Sequence, residues 1–205
     1  MTDQTMKIIG ITGGVGAGKS TVLNYLEKHL SACVIQADQV GHQVMEPGGR
    51  CYDQVISLFG KKVIKSDKTI DRKAVSDVVF CNEQMRCRLN EIIHPVVKAF
   101  ILERIEEERK NGRGLFVVEA ALLLEDHYDA ICDRIWYIHT DQEVRIQRLM
   151  ESRGYSRQKA ENIIASQASE AYFRSHADYV VTNNGLLDET YRQIDEGIKL
   201  SLIHI

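Results

Sequence analysis

What this 205-residue chain lacks narrows it first. No apolar run approaches the roughly 20 residues that a membrane-spanning helix needs. No charged-then-apolar signal segment opens the chain, so a cytoplasmic location is expected. There is no excess of positive charge: 26 Lys and Arg against 29 Asp and Glu leave a formal net charge of −3. A global basic field for recruiting nucleic acid is therefore missing. The five cysteines, Cys33, Cys51, Cys81, Cys87 and Cys132, are scattered and form no C-x-x-C pair. That pattern fits reduced thiols in a cytoplasm-like compartment, not a disulfide framework. The histidines also lack metal-ligand spacing, which argues against a structural zinc site. No internal repeat or low-complexity tract is present.

What is there fits one domain, or one domain with an inserted lobe. A hydrophobic fraction of 44% is enough for a real core. Short apolar runs at 7–12 (KIIGIT), 32–36 (ACVIQ), 115–118 (LFVV), 134–139 (RIWYIH) and 179–182 (YVVT) predict strands. They alternate with helical patterns at 19–30, 141–176 and 186–200. Buried apolar strands separated by helices imply a parallel sheet covered on both faces. From about 39 to 111 helical patterns dominate, with breaks near Pro47-Gly48-Gly49 and Lys61–Thr69. That stretch is too long for a simple crossover and reads as an inserted helical lobe. The charged run Glu103–Arg113 reads as the solvated face of a helix, with Glu106 and Lys110 four apart.

The chemistry begins at "IIGITGGVGAGKSTVLNYL", Ile8 to Leu26. Glycines clustered between a strand and a helix suit either a tight turn or a backbone that must approach an anion closely. Gly13-Gly14-Val15-Gly16-Ala17-Gly18-Lys19-Ser20 fits G-x-x-x-x-G-K-[ST], and the flanking strand and helix are the context that motif requires. The loop predicts an inward-facing nest of main-chain N–H groups backed by a helix N-terminus. Lys19 then reaches the β and γ phosphates, Ser20 ligates Mg²⁺, and Thr21 meets the α phosphate. The ligand predicted is a nucleoside triphosphate.

No N-K-x-D element is present, and one helix and one strand fill the interval from Lys19 to Asp38, which leaves no room for a GTPase switch loop. The strand at 115–118 leads into Glu119, not the D-E pair expected of a motor or AAA-type ATPase. A small-molecule kinase suits the remaining pattern. Asp38, at the carboxyl end of the second strand, has two readings: a base or orienting group for an attacking hydroxyl, or an N-cap for a helix starting near Gln39. A weak base suffices where the phosphoryl transition state is loose. Arg145, Arg148, Arg153 and Arg157 recur in the helical stretch after the fourth predicted strand, with Arg145 and Arg148 on one face. They read either as cations over a transferring phosphoryl group or as surface charge beside Glu143 and Glu151.

Taken in order, these segments resemble the dephospho-coenzyme A kinase family over nearly the whole chain. "GITGGVGAGKST" is similar to that family's nucleotide loop, and "IQADQVGHQV" to its second-strand segment. "IDRKAVSDVVF" (70–80), "LNEIIHPVV" (89–97) and "EAALLLE" (119–125) resemble its I-D-R, H-P and L-L-x-E elements. "QRLMESRG" and "SQASEAYFRSHADYVVTNNG" resemble its lid and its A-D-x-V-I-x-N-x-G end. Gln36, Glu119, Ala121, Asn162 and Phe173 depart from the usual family residues.

The resemblance implies a P-loop kinase-like α/β fold: a five-stranded parallel sheet flanked by helices, with a core at about 1–45, 112–140 and 177–205, a helical substrate lobe at about 46–111 and a lid at about 141–176. It implies phosphorylation of the ribose 3′-hydroxyl of dephospho-coenzyme A by ATP with Mg²⁺. Asp38 then takes the base or orienting role, Lys19 holds phosphates, and Arg145 and Arg148 sit over the transferring group. Arg72, His94 and Leu123 join Asp38 at the acceptor. For His94 a packing role before Pro95 stands beside the pocket role. A monomer is expected, with a weak homo-oligomer left open and neither nucleic acid nor membrane as partner. Another small-molecule P-loop kinase and a non-catalytic nucleotide-binding regulator stay open as alternatives.

Overall fold

The computed structural model describes residues 6–203. The ends of the expected core, residues 1–5 and 204–205, lie outside them, as does the start of the chain searched for a signal segment. Along the chain run β1 (Lys7–Thr12), α1 (Lys19–Leu30), β2 (Cys33–Gln36), α2 (Ala37–Val44), α3 (Tyr52–Phe59), α4 (Arg72–Cys81) and α5 (Glu83–Lys110). Then follow β3 (Leu115–Glu119), β4 (Arg134–His139), α6 (Gln142–Arg153), α7 (Arg157–Ala165), α8 (Glu170–His176), β5 (Tyr179–Thr182) and α9 (Leu187–Ile203). No described helix is long and apolar enough to cross a membrane.

The chain divides into two compact units, Met1–Ile35 with Glu108–Ile205, and Gln36–Glu107. The first is built on a five-stranded parallel sheet in the order β2-β3-β1-β4-β5. β1 is its middle strand, pairing with β3 through Ile9 and Val117 and with β4 through Ile11 and Trp136. A strand with neighbours on both sides and helices on both faces has no solvated side, which is why β1, β3 and β4 are almost continuously buried. From β1 the chain runs toward the β2 edge, whereas from β4 it runs toward β5. The carboxyl ends of β1 and β4 therefore flank the point where connections diverge, the crevice in which open α/β sheets bind ligands.

One core cluster joins Ile9, Ile11, Val117, Trp136 and Ile138 of the sheet to Val22 and Leu26 of α1 and Ile194 and Ile198 of α9. Gly197 shows how tightly α9 sits. A Cβ there would lie 2.5 Å from the Tyr179 ring and 2.8 Å from Trp136. Alanine is normally the better helix residue by about 1 kcal/mol, but here the two rings decide the sign. Gly197→Ala is expected to destabilise the protein by about 1–3 kcal/mol in denaturant unfolding, as overpacking does.

The second unit is helical, α2 to α4 with most of α5. It takes in α2. Asp71 caps α4, accepting from the Lys73 and Ala74 amides. An Arg50–Glu103 pair at 2.6 Å ties the segment before α3 to α5. A groove of about 560 Å³ is lined by Gln54, Ser57 and Leu58 of α3 and by Arg88, Glu91 and Pro95 among the residues of α5.

Candidate nucleotide and acceptor site

β1 ends at Thr12, and the glycine loop turns the chain into α1. Gly13 and Gly18 show why the loop needs glycine. Gly13 has φ +150°, and a Cβ there would sit 2.7 Å from the Ile138 carbonyl oxygen of β4. Gly18 has φ +82° and forms the left-handed N-cap of α1, where a Cβ would lie 2.2 Å from the Asn183 amide nitrogen.

Three carbonyls of the loop, those of Gly13, Val15 and Ala17, have side-chain partners, and this orients the N–H groups. In a trans peptide the N–H points opposite to the C=O. Lys19 Nζ donates to the Gly13 carbonyl at 2.8 Å. Arg145 Nε donates to the Val15 carbonyl at 2.8 Å. The Ala17 carbonyl accepts from Asn183 Nδ2 at 2.9 Å and lies 3.0 Å from the Thr140 hydroxyl. Drawing the Val15 and Ala17 carbonyls toward the surrounding elements turns the N–H groups of Gly16 and Gly18 the other way, as an anion nest requires. Among the described residues the Gly16, Gly18, Lys19 and Ser20 amides have no protein acceptor.

Lys19 also lies 3.5 Å from Glu119 Oε1, in a pair whose side chains are only 17% and 7% exposed. The acid ends β3, so the lysine is held between two central strands. The loop residues predicted for phosphate, Gly13, Gly14, Val15, Gly16, Ala17, Gly18, Lys19, Ser20 and Thr21, thus form one continuous cradle at the end of β1. Ser20 stands exposed in the first turn of α1. Among the described residues no cluster of three acidic, histidine or cysteine side chains is built to hold a metal. The residues present fit a Mg²⁺ that arrives with a nucleotide: such an ion needs one hydroxyl and phosphate oxygens, not a protein cage.

Two of the four arginines reach the cradle. Arg145 lies against Gly14, where a Cβ would meet its Nη2 at 2.2 Å. Burial lowers the pKa of its guanidinium, with the nearby Tyr137 acting in the opposite direction. Arg148 Nη2 donates to the Asn183 carbonyl at 2.8 Å, with Nη1 3.5 Å from Thr140 Oγ1. It braces the strand ends that hold the loop. Arg157 pairs with Glu143 and Glu161 at the surface, as the surface-charge reading expects. Arg153 is exposed.

Sequence spacing alone did not point to Thr140, Asn183 or Gln167 as loop partners. Thr140 and Asn183 each follow the last residue of a parallel strand or lie within one residue of it, the edge where ligands gather, and that position was the available signal. Beyond them His139, at the end of β4, places Nε2 3.1 Å from Asp141 Oδ1. Its Nδ1 faces Glu170 of α8 at 3.5 Å without hydrogen-bonding geometry. Tyr137 stacks on Phe173 with ring centroids 5.1 Å apart, so Phe173, where the family pattern is usually basic, is a packing residue here.

The acceptor candidates fall differently. Asp38 does not end β2, which stops at Gln36, nor does it cap a helix starting at Gln39. It is exposed in the first turn of α2, whose N-cap position is Gln36. The chain passes from strand to helix without a loop, and Asp38 favours that helix by placing negative charge at its N-terminus. Arg72 opens α4 and bonds Glu46 Oε1 at 3.0 Å. His94 is half-buried in α5, one residue before Pro95 at the groove. Leu123 is completely buried and would touch any Cβ on Gly10 at 3.0 Å. Its position is a packing one.

A phosphate loop at the middle strand of a 2-3-1-4-5 parallel sheet, its lysine held by an acid from the next strand, defines a P-loop kinase. A family model described as dephospho-CoA kinase matches residues 7–189. The chain belongs to the dephospho-CoA kinase family. The dephospho-CoA kinase of Geobacter sulfurreducens is 36% identical over 191 residues, 93% of this chain and 96% of that protein. The crystal structure of TT1252 from Thermus thermophilus superposes with a TM-score of 0.83 at 25% identity, covering 96% of this chain and 98% of that one. The dephospho-CoA kinase from Campylobacter jejuni gives 0.70 at 25% identity, covering 94% and 95%.

Proposed function

We propose that this chain transfers the γ-phosphoryl group of ATP to the ribose 3′-hydroxyl of dephospho-coenzyme A, yielding coenzyme A and ADP. The observation that carries the reading is the phosphate cradle closed by Lys19, in a chain matched to this family along residues 7–189. The acceptor oxygen bonds to the γ-phosphorus as the bond from that phosphorus to the ADP oxygen breaks, and the hydroxyl proton passes to Asp38. Amides of the cradle and Lys19 hold the donor phosphates and take up charge that moves onto them. Arg145 adds positive charge beside the loop. Arg72 and His94 contact the acceptor, and Arg148 acts through the strand ends it braces. The Ser20 hydroxyl would help hold a Mg²⁺, which would supply neutralisation of negative charge at the phosphates. Five cysteines present as free thiols support a reducing, cytoplasmic setting, where we place the enzyme as a monomer.

The test is coupled ADP release with purified protein, ATP, Mg²⁺ and dephospho-coenzyme A, run beside a panel of nucleosides, nucleotides and shikimate. Release dependent on dephospho-coenzyme A, with a product phosphorylated at the 3′ position by mass spectrometry and NMR, is the expected result. Transfer to a different acceptor, or tight ATP binding without transfer to any, would refute it.

A further inference from the structure

Gln167 lies in the short connection between α7 and α8, far along the chain from the phosphate loop, yet its Oε1 accepts two hydrogen bonds there. One comes from the Val15 N–H at 3.0 Å, the other from Arg145 Nη2 at 2.6 Å. Arg145 Nε returns to the Val15 carbonyl at 2.8 Å. Val15, Gln167 and Arg145 thus close a ring of three hydrogen bonds on one residue of the loop, gripping both its N–H and its C=O. The guanidinium plane rests over Gly14, where no side chain intervenes.

Charge makes the choice of partner informative. Arg145 is partly buried, which lowers the pKa of its guanidinium; arginine nonetheless keeps its charge in proteins. Both of its hydrogen-bond acceptors, a carbonyl and a side-chain amide, are neutral. Among the described residues it forms no ion pair. A desolvated cation without a counter-ion is costly unless something anionic joins it. A carboxylate in place of the amide would accept the same two bonds and cancel the charge. An amide holds the arginine in place and leaves its charge available. The geometry points to Gln167 as a positioning residue of the nucleotide site, a neutral clasp that seats Arg145 on the loop while reserving its positive charge for the phosphates. The inference rests on the nucleotide-binding reading of the loop and is independent of which acceptor is phosphorylated.

The experiment is a double-mutant cycle read by equilibrium binding of a fluorescent ATP analogue with Mg²⁺, by kcat and ATP KM, and by thermal unfolding. Gln167→Met, which removes the acceptor, is expected to weaken nucleotide binding about tenfold or more, the range for a hydrogen bond to a charged group. In an Arg145→Met background it should add less than twofold, because the glutamine acts through the arginine. Gln167→Glu keeps both acceptors and therefore the fold. It should retain the melting temperature and still weaken ATP binding at least as much as Gln167→Met. Additive effects in the cycle, unchanged nucleotide affinity in Gln167→Met, or wild-type affinity in Gln167→Glu would overturn the inference. A wild-type chain that binds ATP but leaves dephospho-coenzyme A untouched would refute the proposed reaction instead, and the cycle would still be read from binding.

Discussion

Lys19→Met is expected to lower kcat by about a thousandfold, the loss typical when a preorganised charge is removed from a transition state. The same change takes the lysine from Glu119, whose side chain is only 7% exposed. Removing one partner of a buried pair costs about 3–5 kcal/mol, so the variant should also melt at a lower temperature. Those two effects have different causes and separate experimentally. Lys19→Met with Glu119→Gln removes the stranded charge and should recover most of the lost stability without recovering activity. If activity returned with stability, Lys19 would be a structural counter-ion for Glu119, and the role assigned to it on phosphate would fall. The lysine also bonds the Gly13 carbonyl at 2.8 Å. Arginine at this position would keep the charge but replace a compact ammonium by a planar fork. Lys19→Arg should therefore stay folded and remain at least a hundredfold impaired in transfer, as measured by ADP release.

Much of the core could be read directly from the residues, because a parallel strand buried on both faces is written as an unbroken apolar run. β1 and β4 coincide with the runs at 7–12 and 134–139. The errors lie where two local signals conflict. Ala37-Asp38 looks like a strand end followed by a cap, yet α2 starts at Ala37 directly after β2. Burial of Ala37 and Val40 outweighs the absence of a capping side chain. The charged stretch 141–176 read as helical and is three helices, with Gly154 in left-handed conformation ending α6 and Ser156 and Ser169 capping the next two. The phosphate loop was legible because its chemistry is local: eight consecutive residues carry the nest, the lysine and the hydroxyl. Its supports were not, because they come from far along the chain. Gln167 is 152 residues from Val15, and Asn183 is 166 from Ala17. No spacing rule spans such a gap. Only the topology, which brings the end of β5 and the α7–α8 connection beside the loop that follows β1, makes them neighbours. Leu123 is a case of another kind: a motif resemblance marked its segment for the acceptor, and its buried side chain fills the space beside Gly10.

For Asp38→Asn the expected result is a fall in kcat of about a hundredfold, in the range for general acid–base catalysis, with ATP affinity within twofold of the parent. Asparagine matches aspartate in size but neither carries the charge nor accepts a proton. It therefore isolates chemistry from packing. The competing role is visible in the structure. Asp38 sits in the first turn of α2, where a negative charge is worth about 0.3–1 kcal/mol to the helix. That role predicts a small loss of stability and an unchanged kcat. The catalytic role predicts the reverse, because an exposed side chain at a helix start contributes little to folding. Asp38→Ser adds a second discriminator: serine serves at helix N-termini but is no base at neutral pH, so it should keep the fold and lose the rate. Undiminished turnover in Asp38→Asn, with only a small loss of stability, would leave Asp38 as a helix charge and place the base elsewhere in the chain.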